Sequence, residues 1–137
     1  MAFKRISGSD RGTIKRTISS LACSVGDLMV YNRTSYKVEA ATATSEIDNL
    51  AGICMAATTT ADTEVLLQRI MPGDVYRVST VNAADATHNY QRMIWGAAHT
   101  ANNTGTDVAG DTGIFMQTGI VGTSEIVGEF VTGSVGD

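Results

Sequence analysis

Apolar residues along this chain fall in short runs, separated by glycine, threonine, asparagine and aspartate. Leu28-Met29-Val30-Tyr31 is one such run, with the turn signal Val25-Gly26-Asp27 before it and Asn32-Arg33-Thr34 after it. The return over 35–40 puts Tyr36 and Val38 on one face by period-two alternation, so 25–40 reads as a hairpin. Residues 51–57 read as a buried strand, 58–62 as a turn, 64–71 as a strand ending at Pro72-Gly73, and 74–80 as a further strand. The polar segment 41–48 reads as a loop, with one helical turn near 46–50.

Residues 83–99 carry two signals. Ala86, Tyr90, Ile94 and Ala98 recur every four residues, which suits a helix capped by Asp85. Gly96 and the density of aromatic residues favour a strand over 89–95, and that is the reading adopted. Residues 100–110 read as a loop. Residues 114–116, 120–121 and 125–132 form two or three closing strands, with Gly113, Gly119, Gly122, Gly128 and Gly133 at bulges or corners. Residues 1–12 are polar and read as an extended arm, mobile in isolation. The pattern predicts eight to ten short strands and at most one short helix. It therefore predicts an all-β chain: a small β-barrel or β-sandwich, with an arm at 1–12 and a single β-rich domain at 13–137. Gly-Asp recurs at 26–27, 73–74, 110–111 and 136–137, read as repeated turn chemistry rather than duplication.

Composition narrows the function. The chain has 137 residues, 43% hydrophobic and only 18% charged, and a net charge of −4. Within residues 1–16, Lys4, Arg5, Arg11, Lys15 and Arg16 oppose only Asp10, a net of +4, which leaves −8 for residues 17–137. A basic arm on an acidic body points to an acidic partner for the arm, and those five residues are the expected partner-binding set. The acidic body disfavours nucleic acid. No apolar run is long enough for a membrane helix, and no apolar segment follows the basic N-terminus as in a signal peptide, so cytoplasmic synthesis is expected. Cys23 and Cys54 read as buried free thiols.

Motifs for chemistry are sparse. Asp111-Thr112-Gly113 matches the aspartic-protease triplet, but its flanks suit a β-turn better. His88 and His99 have neither a nucleophile elbow nor ligand spacing. No glycine-rich phosphate loop is present. The expectation is a non-enzyme with no catalytic, cofactor or metal site. Trp95 and Tyr90 are candidates for a sugar-stacking platform.

Ser24-Val25-Gly26-Asp27 through Val38, Ala41-Thr42-Ala43-Thr44, Ala51-Gly52-Ile53-Cys54-Met55-Ala56-Ala57, the strand over 65–70 and Pro72-Gly73-Asp74 together carry a likeness. Over roughly 17–130 the chain resembles the capsid decoration (cement) proteins of tailed bacteriophages. The resemblance implies a β-rich structural protein on the outer virion surface that stabilises the lattice of the major capsid protein. It also implies self-association, as a homotrimer or a dimer. The alternative is a β-rich receptor- or glycan-binding module of a phage tail or fibre.

Overall fold

The computed structural model describes residues 3–7, 12–18, 22–42, 50–71, 73–97, 100–103, 108–109 and 115–131. Within them the chain is nearly all β, and its helical content is a single 3-10 turn, Ala86–His88. Twelve strands follow in order: β1 Lys4–Ser7, β2 Thr13–Thr17, β3 Leu28–Asn32, β4 Lys37–Ala40, β5 Leu50–Cys54, β6 Glu64–Gln68, β7 Val75–Thr80, β8 Arg92–Ala97, β9 Thr100–Asn102, β10 Val108–Ala109, β11 Phe115–Gly122 and β12 Glu125–Phe130.

They build two sheets. One has the order β2-β6-β5-β3-β4, and just past β2 a bridge from Ile18 to Val38 of β4 brings its two edges together. The other has the order β1-β7-β12-β11-β8-β10. There β9 pairs with both β8 and β7, so the sheet curls into a nearly closed, barrel-like form.

Two apolar cores follow from the strand patterns. Strands β7 and β12 alternate strictly, burying Tyr76 and Val78 from one and Ile126 and Phe130 from the other. Strands β3 and β5 instead read as continuous apolar runs because both their faces are covered. Leu28, Val30, Leu50 and Ile53 join the core shared with the seven-stranded sheet, while Met29, Ala51 and Cys54 face the core inside the five-stranded sheet.

Two Gly-Asp turns start strands with the same chemistry. In 24–27 and 71–74 the glycine has a φ of about +90° (Gly26 +90°, Gly73 +89°). In each, the Asp side chain accepts from the backbone N–H three residues earlier (Ser24, Met71) and the Asp N–H returns a bond to that residue's carbonyl. Gly119 and Gly122 lie at shifts of register between β11 and β12, as expected of bulge glycines.

Several expectations are corrected. Phe3 is buried and Lys4–Ser7 pairs antiparallel with β7, so this part of the expected arm is seated in the fold; the boundary drawn at 12/13 falls between two strands. Tyr36 does not share a face with Val38: it lies in the turn and is exposed, whereas Val38 is buried in the core. The strand expected over 89–95 runs from Arg92 to Ala97, after the 3-10 turn and a second turn at Asn89 and Tyr90. Part of the expected 100–110 loop is strand, β9 and β10. The two or three closing strands expected are two, as β11 runs unbroken through its bulges, which agrees with the lower count. Leu50 begins a strand; the rest of the helical turn expected near 46–50, Arg11, His99 and Asp111-Thr112-Gly113 lie outside the described residues.

Candidate functional site

Four of the five basic residues lie in described strands, Lys4 and Arg5 in one sheet and Lys15 and Arg16 in the other. Lys4 is exposed on β1, the outer edge of the seven-stranded sheet, where Arg5 is paired through its backbone with Tyr76. Lys15 is exposed on β2, the edge strand of the other sheet. Arg16, on the opposite face of β2, is half-buried and donates from Nε to Tyr31 Oη at 3.0 Å and from Nη1 to Lys15 O at 3.0 Å. Its charge is thus committed in part to the chain's own fold. The structure presents Lys4 and Lys15 in different sheets, each on an edge strand.

Two open clefts flank these edges. One, of about 310 Å³, is lined by Phe3, Lys4, Val25, Gly26, Ile53, Cys54, Met55 and Gln68. The other, of about 260 Å³, is lined by Lys15, Ala56, Ala57, Thr58, Asp62, Glu64, Val65 and Leu66. Its β5–β6 loop is stiffened by Asp62, whose Oδ2 accepts from Thr59 N at 2.7 Å while its own N–H donates to Thr59 O at 3.1 Å.

Cys54 lines the first cleft, and Cys23 is buried beside Thr58 of the second. Burial pushes the Cys54 thiol up to about 11 and raises Cys23 as well, the latter opposed by a hydrogen bond with Thr58. Neither is an activated nucleophile, because both are held as the neutral thiol at ordinary pH. Among the described residues, no three His, Cys, Asp or Glu side chains cluster as metal ligands.

Two surface residues stand out: Tyr90, one of the two expected platform residues, and Tyr36, whose exposure escaped the sequence reading. Tyr36 and Tyr90 are the only non-glycine residues with positive φ among those described, at +59° and +67°. They are also the most exposed large hydrophobic side chains there, at 88% and 72%. A left-handed backbone costs an ordinary residue about 1–2 kcal/mol, so both sites would hold glycine or asparagine more easily.

Each tyrosine is held by an ordered turn. At the β3–β4 tip, Asn32 Oδ1 accepts from Thr34 N at 2.9 Å and Ser35 N at 3.1 Å, and Tyr36 N donates to Asn32 O at 2.8 Å. At the second site Tyr90 N donates to Gln117 O at 2.7 Å. The buried Gln117 side chain donates to Asp85 O and to Asn89 Oδ1 at 2.9 and 2.8 Å. The N–H and hydroxyl of Thr87 both donate to Asp85, holding its carboxyl below the usual range and fixing the 3-10 turn. Asn followed by Arg-Thr-Ser-Tyr was a readable cue for an Asx turn, but not for which residue takes the left-handed position. The side chain of Trp95 lies outside the described residues, so only Tyr90 of the expected platform is seen.

Compared with known proteins, the chain matches no family model and no curated protein.

Proposed function

We propose that this chain is a structural virion protein that binds the outside of a tailed-phage head and cements the lattice of its major capsid protein. The observation that carries this reading is the display of Lys4 and Lys15 on the edge strands β1 and β2 of an otherwise acidic chain. An edge strand can extend its ladder with a partner's strand, and the charge favours an acidic partner surface. A subunit that touches two capsomers at once adds buried area that rupture of the shell must expose. Such a protein is made in the host cytoplasm and joins the virion surface; among the described residues no helix is long and apolar enough to cross a membrane.

The test is co-sedimentation of the purified chain with empty tailed-phage capsids assembled from major capsid protein alone. Saturable binding in a fixed ratio to capsomers, weakened by Lys4→Glu and Lys15→Glu together, is the expected result. Absence of binding overturns the reading. The exposure of Tyr90 favours a second reading, a receptor- or glycan-binding module, since tyrosine rings stack on sugars. Glycan-array binding lost in Tyr90→Ala, with no capsid binding, would decide for it.

A further inference from the structure

We infer that residues 82–91 form a rigid binding loop for neutral sugars, with the Tyr90 ring as its stacking face and the Asp85 carboxylate as an acceptor for hydroxyls. The inference rests on the sugar reading of Tyr90 and names its site and its ligand class. It does not depend on capsid binding, for which Lys4 and Lys15 lie on other strands.

Buried amides hold the loop near both of its ends. Asn103 is buried; its Nδ2 donates to Asn82 O and Ala83 O at 3.1 and 3.0 Å, and its Oδ1 accepts from Asn82 N at 2.8 Å. Gln117, also buried, bonds both Asp85 O and Asn89 Oδ1 through its one amide nitrogen. Those two oxygens are therefore no farther apart than two hydrogen bonds, which brings Asp85 beside the turn at Asn89 and Tyr90. Between the two clamps Ala84 N donates to Thr123 O at 2.7 Å. Buried polar groups bonded in this way fix a single shape. A ligand then meets a loop already in order, so binding costs little conformational entropy. Tyr90 is what this frame displays. Its ring is exposed, and its backbone sits in the left-handed region, where glycine would be unstrained. An aromatic ring kept at a strained and exposed position is explained by a ligand that covers it.

Charge selects the ligand. From Val81 to Gln91 the chain has no lysine or arginine, and its one carboxylate is Asp85. The next cation along the chain, Arg92, is half-buried at the start of β8. Asp85 Oδ1 accepts from Thr87 N and Thr87 Oγ1, both at 2.8 Å, which fixes the carboxylate on the exposed side of the loop and leaves Oδ2 for a ligand. A fixed carboxylate accepts from sugar hydroxyls and repels anions. The C–H groups of a sugar face meet the electron-rich face of the tyrosine ring. Neutral hexoses match this set of groups; sialic acids and uronates do not.

The experiment is a glycan array probed with the full chain, carrying neutral hexose and N-acetylhexosamine oligosaccharides beside sialylated and uronate-containing ones. The wild type is expected to bind members of the neutral set and none of the acidic set. Tyr90→Gly is expected to cut that binding at least tenfold without lowering the melting temperature, so that the loss is not one of folding. Asp85→Asn, which keeps an oxygen to accept from Thr87, is expected to weaken it severalfold. Neutral binding that either variant leaves unchanged overturns the inference. Binding of acidic glycans in preference to neutral ones, lost in Tyr90→Gly, also overturns it but leaves the sugar reading of Tyr90 standing. Absence of binding to every glycan overturns both.

Discussion

A Cβ added to Gly128 would lie 2.7 Å from the Phe115 ring and collide with the Met116 carbonyl, both on the neighbouring strand. One of those neighbours is backbone in the middle of a ladder, so it cannot yield. Gly128→Ala is therefore expected to cost about 3 kcal/mol, at the upper end of overpacking effects, measured as a fall in the urea midpoint. Cys54 gives the second residue-scale prediction. Its thiol rises from 9.0 to about 11 in the fold, so the folded chain holds that proton more tightly than the unfolded one. The resulting stabilisation is complete below pH 9 and is lost as pH rises through 11. Urea midpoints of the wild type and Cys54→Ala, compared across that window, are expected to show a steeper decline in the wild type. Burial of the two thiols was legible because each cysteine stands in an apolar stretch. The role of Gly128 was not: a bulge glycine and a glycine beneath an aromatic ring look alike until the facing strand is known.

At the scale of elements, the start of the chain departs furthest from its sequence. The Phe3 ring lies 5.3 Å from that of Phe130 and 5.7 Å from that of Phe115, and Tyr76 meets Phe130 edge-on at 5.1 Å. Phe3 N also donates to Gly26 O at 3.0 Å, tying the start of β1 to the first Gly-Asp turn. A single aromatic residue just ahead of a basic pair has no periodicity, and its partners lie far along the chain, so local pattern could not reveal it. Strands β3 and β5 and the Gly-Asp turns were legible because their signals are local: an unbroken apolar run, and a turn dipeptide whose bonds close within four residues. Strand β9 was not, since Thr100-Ala101-Asn102 is held by pairing to β7 and β8 rather than by its own pattern. Of the candidate surface, the cations were visible in the sequence, but their division between two sheets is a consequence of β1 and β2 pairing with different partners. Phe3→Ala is expected to destabilise the chain by about 3 kcal/mol, as for other buried aromatic truncations. Thermal denaturation followed by circular dichroism checks it; an unchanged midpoint would restore the free arm.

For the whole molecule, two sheets could mean two folding units or one. The position of β3 and β5 decides between them. The same strands send Met29, Ala51 and Cys54 into one core and Leu28, Val30, Leu50 and Ile53 into the other, where they pack with residues of the seven-stranded sheet such as Tyr76, Phe115 and Phe130. Unfolding either sheet alone would therefore expose one face of the shared strands and strip the other sheet of its cover. The consequence is a single cooperative transition, with far-ultraviolet circular dichroism and Trp95 fluorescence moving together in urea. Leu50, fully buried in the shared core, tests the coupling directly. Leu50→Ala is expected to lower stability by about 3 kcal/mol and to shift both signals equally, because the cavity lies where the two sheets meet. If the fluorescence of Trp95, which belongs to the seven-stranded sheet, kept its midpoint while the circular dichroism shifted, the sheets would be separate units. The chain would then be two small β modules in contact rather than one.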